Sequence, residues 1–176
     1  MSIRDEIRAR IDEGRLFHLP HSLPGASTAR TLFVSEEVRR VVVGPWSHDT
    51  EGLRFGELRA HLDVFTEGSL ISIALDPFKK PKAAYLAAID PTADGVWDIR
   101  SLDPSPAIRV LGCFAETNVF VALVWDYRKN LGGPHSKEWR DLRERCKAEW
   151  RKLIPTYPPL IAENVDEYIS ENVHIV

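Results

Sequence analysis

Gly95-Val-Trp-Asp-Ile-Arg100, Ile108-Arg-Val-Leu-Gly-Cys-Phe114 and Val119-Phe-Val-Ala-Leu-Val-Trp-Asp-Tyr-Arg128 decide the fold of this chain. Each run is short, rich in β-branched and aromatic residues and bounded by turn formers, so three successive strands are expected. Val119 to Val124 is apolar at every position, which one-sided alternation does not produce. A strand covered on both faces does, and this strand is therefore expected at the centre of its sheet.

Working outward, Ser136 is placed to cap a helix whose apolar stripe is Trp139, Leu142, Cys146, Trp150 and Leu153. It reads as the longest helix, packed on one face of the sheet. Phe55, Leu58, Leu62 and Phe65 mark a second helix from Thr50, stopped by Gly68. Ser35 with Glu36 and Glu37 resembles a helix start, although the valines that follow suit a strand equally well. Ile3, Ile7 and Ile11 give an N-terminal helix with a narrow stripe that needs a docking partner, either the body of the chain or a second subunit. Residues 16–28, broken by prolines, read as an extended arm. Thr31 to Val34, Ser69 to Leu75 and Ala83 to Ile89 supply further strands, the last two read as partners across a hairpin tip. Ala162 to Ser170 suggests a short helix, and Val173 to Val176 an edge strand. The resulting expectation is one α+β domain over residues 1–176, with an antiparallel sheet of about five strands and a long helix of the C-terminal half packed on one face.

Composition bounds the function. The 176 residues are 44% hydrophobic and 28% charged, with 23 basic and 26 acidic side chains, so no domain-wide electrostatic footprint for nucleic acid is present. No apolar run reaches the length of a membrane span, and Met1-Ser-Ile-Arg-Asp-Glu lacks a signal-peptide core, which points to a cytoplasmic protein. Cys113 and Cys146 are expected as buried free thiols. Six scattered histidines offer no metal-ligand spacing, and no Gly-rich phosphate loop, Gly-x-Ser-x-Gly elbow or Cys-His pair is present, so no metal or cofactor is implied.

Cations on apolar strands need partners. Arg100, Arg109, Arg128 and Lys129 lie on or beside the three strands, with Asp98, Asp103 and Asp126 close in sequence. Either they form ion pairs at the rim of the sheet, or several guanidinium groups converge to hold a phosphate or carboxylate. Phe78-Lys-Lys-Pro-Lys82 is the densest positive charge, which makes Lys79, Lys80 and Lys82 candidates for an anion contact or a solvated tip. Phe17, Trp46 and Phe78 beside prolines or charges suit an interface with an unknown protein partner.

Trp97-Asp-Ile-Arg100, Ile108-Arg-Val110 and Ala122-Leu-Val-Trp-Asp-Tyr-Arg-Lys129 resemble the C-terminal half of toxins of the RelE/HigB class. Those are small antiparallel-sheet ribonucleases of toxin–antitoxin pairs. The resemblance implies that Arg100 and Arg109 contact RNA phosphates, with Arg128 and Lys129 as the basic pair after the third strand. Such an enzyme needs no metal, since it orients the ribose 2′-hydroxyl and stabilises developing charge with fixed cations. Tyr127 or Asp126 is the candidate base, although Tyr127 shares the expected face of Val121, Leu123 and Trp125. Two readings follow: a non-enzymatic module for a protein partner or a phosphate-bearing ligand, and a ribonuclease with RNA as partner.

Overall fold

A computed structural model describes residues 1–176. In chain order the elements are α1 (Ile3–Asp12), β1 (Leu16–His18), β2 (Thr31–Ser35), α2 (Glu36–Val42), α3 (Thr50–Glu67), β3 (Ile71–Ala74), β4 (Leu86–Ala88), β5 (Val96–Ser101), β6 (Ile108–Glu116), β7 (Val119–Tyr127), α4 (Lys137–Leu153), α5 (Val165–Tyr168) and β8 (Val173–Ile175). All strands join one sheet in the order β1-β2-β7-β6-β5-β4-β3-β8.

This corrects the expected architecture. The sheet has eight strands rather than about five, and it is mixed. β4, β5, β6 and β7 pair antiparallel in sequence, whereas β2 runs parallel to β7, and β3 runs parallel to both β4 and β8. The segment from Ser69 to Ile89 is consequently not a hairpin: the Phe78–Lys82 stretch belongs to a crossover connection, which parallel strands require. α4 is not the longest helix either, since it has 17 residues against 18 in α3.

Both faces of the sheet are covered, as the unbroken apolar run from Val119 to Val124 implied. Leu58, Leu62 and Phe65 of α3, with Val38 and Val42 of α2, pack with Leu32, Ile99, Val110 and Phe120. On the opposite face Leu142, Cys146, Trp150 and Leu153 of α4, with Ile7 of α1, pack with Leu111, Cys113, Val121 and Leu123. α1 therefore docks on the body of its own chain, and residues 16–18 of the expected arm are the edge strand β1. The caps follow the local chemistry: Ser35, Asp49 and Ser136 each accept a backbone N–H at a helix start, and Gly68 ends α3 at φ +82°. Arg30 ties down the C-terminal segment, its guanidinium donating to the carbonyls of Ser69, Glu171 and Asn172.

One irregularity decides which side chains face the site. Leu111 pairs with Val124 but Gly112 with Ala122, so Leu123 is an extra residue on β7. The bulge sends Leu123 and Val124 to the α4 face and returns Trp125 and Tyr127 to the α3 face. Strict alternation had placed Tyr127 with Val121 and Leu123; the bulge reverses that. Gly112 accepts it because a Cβ there would lie 2.1 Å from the Val121 carbonyl oxygen.

No helix is long and apolar enough to cross a membrane.

Candidate functional site

Alternation along β5 and β6 builds the site. Trp97 and Ile99, Ile108 and Val110 face α3, so Asp98, Arg100 and Arg109 must face the α4 side. There the apolar layer made by Leu111, Cys113 and Val96 gives out, and charge replaces it. Arg100 and Arg109 stand directly opposite each other across the strands, an arrangement that is repulsive without an intervening anion. Asp98 supplies it, with Oδ2 at 3.6 Å from Arg100 Nε and 3.3 Å from Arg109 Nε.

These groups floor a pocket of about 540 Å³. Lys80, from the crossover connection between β3 and β4, closes one side, its Nζ donating to the Ala88 carbonyl at 3.1 Å. The Pro81 carbonyl of the same connection accepts from Arg100 at 2.6 Å. Arg128, in the short 3-10 turn after β7, lies on another side, fixed by donation to the Gly132 carbonyl and placed 5.9 Å from the Trp139 ring. The start of α4 adds Trp139, Arg140 and Arg143, where the positive end of the helix dipole also favours an anion. Arg143 donates to the Asp90 carbonyl, and Arg140 to that of His135.

Six cations thus meet two carboxylates of the lining, Asp90 and Asp98, and Arg143 is also paired from outside it by Asp94 at 3.8 Å and Glu144 at 3.4 Å, which leaves an excess of three positive charges. Neither Arg128 nor Arg140 has a carboxylate partner anywhere in the chain. Asp98 Oδ1, Arg100 Nε and Arg143 Nε are buried without a hydrogen-bond partner. Burial pushes the Asp98 carboxyl up against the pull of Lys80, Arg100 and Arg109. Burial likewise lowers the Arg109 guanidinium to about 10, against the pull of Asp98, and lowers Lys80. All three groups move toward their neutral forms, so pairing does not repay burial and the cluster is a cost to folding. Strained charge of this kind concentrates at sites that bind or react.

Of the residues singled out from sequence, Lys80, Arg100, Arg109 and Arg128 line this pocket. Lys129, Lys79 and Lys82 do not: all three are exposed, and the Lys129 ammonium sits 5.5 Å from the Tyr127 ring. Neither candidate base reaches the pocket. The Tyr127 hydroxyl donates to Glu51 on the α3 face, and Asp126 accepts from the Tyr127 and Asn130 nitrogens. Asp103 pairs with no cation. Of the three aromatic residues expected on the surface only Phe78 is exposed, at 69%; Phe17 lies 4.5 Å under Arg39, and Trp46 donates to the Val41 carbonyl.

Sequence reasoning missed His135, Trp139, Arg140 and Arg143. On an amphipathic helix with solvated charge on its outer face, nothing distinguishes the cations of the first two turns that bend over a pocket from those that do not. No group of three or more metal-binding side chains comes together, and Cys113 and Cys146 are free and buried within the α4 layer. No family model, curated protein or solved structure matches the chain.

Proposed function

We propose that this chain is a binding module for an anionic ligand, phosphate or carboxylate in chemistry, held in the pocket between β5, β6 and the start of α4. The observation that carries the reading is the excess of three positive charges on one pocket, assembled at a cost to stability and with buried donors that lack a hydrogen-bond partner. A phosphate-bearing ligand is favoured over an unknown protein partner because two of the three aromatic anchors expected on the surface are packed away. The test is calorimetric titration with inorganic pyrophosphate. Arg128→Ala and Arg140→Ala should each weaken binding roughly tenfold, since each removes a charge-assisted donor that no carboxylate neutralises. Equal affinity in wild type and both variants would defeat the reading.

A second reading, a metal-independent ribonuclease, draws support from the position of Arg100, Arg109 and Arg128 on the same pocket. In it Asp98 replaces Tyr127 and Asp126 as the group that takes the 2′-hydroxyl proton, being the one buried carboxyl there. Growth arrest and RNA cleavage by the wild-type protein are its requirements; absence of both removes it.

A further inference from the structure

The pocket is far larger than a bare phosphate needs, and its size falls in the range that encloses whole small molecules. Two aromatic side chains, Phe78 and Trp139, stand in the remainder of the lining beside Pro77, Ile89, Pro134 and His135. Phe78 stands 69% exposed on the crossover connection, in a turn fixed by donation of its backbone N–H, and that of Lys79, to Asp76 Oδ1 at 2.8 and 3.3 Å. Trp139 stands on the first turn of α4, its N–H held by the Ser136 cap and its ring beside Arg128. The two rings come from segments far apart in sequence, yet both border the same cluster of guanidinium groups. Phe78 belongs to neither core cluster, so its ring is free to meet a ligand beside these cations. Rings next to arginines are the elements with which proteins stack a planar base while its phosphate is neutralised.

Resting on the anion-pocket reading, we propose that the ligand is a free nucleotide: a flat aromatic base stacked on Phe78 or Trp139, its phosphate at Arg109, Arg128 and Arg140. Ribose 5-phosphate carries the same anion without the base, and a short single-stranded RNA carries the same chemistry as a polymer. Titration of the wild-type chain with adenosine 5′-monophosphate, ribose 5-phosphate and that RNA distinguishes them. The mononucleotide should bind roughly tenfold more tightly than ribose 5-phosphate, the usual order for one base stacked on an aromatic side chain. In Phe78→Ser, whose exposed ring contributes nothing to the fold, and in Trp139→Leu, which keeps an apolar side chain on the α4 stripe, this ratio should fall, toward one in at least one of the two.

Equal affinity for the mononucleotide and ribose 5-phosphate in wild type overturns the base contact while leaving the anion pocket standing. An unchanged ratio in both variants does the same. Binding of the RNA at least as tight as that of the mononucleotide overturns the free nucleotide in favour of a polymer. Failure of wild type to bind either small phosphate removes the anion pocket itself, and this inference with it.

Discussion

Asp98→Asn should tighten anion binding, although it removes a residue from the pocket and one partner from two ion pairs. Asp98 is 1% exposed, and its Oδ2 lies 3.3 Å from Arg109 Nε on one edge of that guanidinium. An anion accepting from the far edge would stand about 6 to 7 Å from the carboxylate, where like unit charges repel by about 2 to 3 kcal/mol at an effective dielectric of about 20. Screening through the open mouth reduces this, leaving a gain of roughly tenfold in the affinity for pyrophosphate. The neutral amide keeps the size of the side chain. It also leaves Arg100 and Arg109 opposite each other without the intervening anion, so the variant should melt below wild type until pyrophosphate is added. The same group gives binding a pH dependence with a fixed sign. As pH falls through the raised Asp98 pKa the carboxylate is neutralised and the pocket gains positive charge, so wild-type affinity for a fully ionised anion such as sulfate should rise. The rise should be smaller in Asp98→Asn. Calorimetric titration of both proteins with pyrophosphate at neutral pH and with sulfate across the acidic range reads both effects. Affinity for pyrophosphate that is unchanged or weakened in the variant would refute the placement of the anion beside Arg109.

Further expectations concern the frame that holds the pocket. Leu123→Ala and Trp150→Ala, both buried where α4 meets β7, should each cost about 2 to 5 kcal/mol in denaturant unfolding; a change under 1 kcal/mol would mean the α4 layer is not packed as described. Gly112→Ala forces a methyl group against the Val121 carbonyl at the bulge and should cost about 1 to 3 kcal/mol or more, with altered near-ultraviolet dichroism as Trp125 shifts. His61 is stacked on Tyr85 with Nε2 unpartnered, and burial lowers it from 6.5 to about 4. The unfolded chain then binds the proton more readily, so its contribution is complete above pH 6.5 and is lost as pH falls toward 4. That loss is about 2 to 3 kcal/mol after allowing for partial exposure. A His61→Phe variant should lack this component; equal slopes of stability against pH in the two proteins would contradict it.

The elements that could be read from the chain alone are those whose signal is local. β5, β6 and β7 announce themselves by composition and bounding turns, α3 and α4 by stripes of period 3.6, with the Gly68 stop of the one and the Ser136 cap of the other. Cations interrupting apolar strands at Arg100 and Arg109 were conspicuous for the same reason: burying such groups is costly, so their presence demanded an explanation. Three things required the folded chain. The parallel pairings of β2 with β7 and of β3 with β4 and β8 join segments whose own patterns say nothing of direction or partner, because a strand's alternation is identical in either orientation. The bulge at Leu123 reverses the facing of Trp125 and Tyr127, since one extra residue changes the phase of everything after it. And the pocket exists only where the ends of β5 and β6 meet the crossover connection and the first turns of α4, bringing Lys80, Arg109 and Arg140 together from three separate segments. Charge convergence is a property of distance in space, which a sequence encodes only through the whole fold.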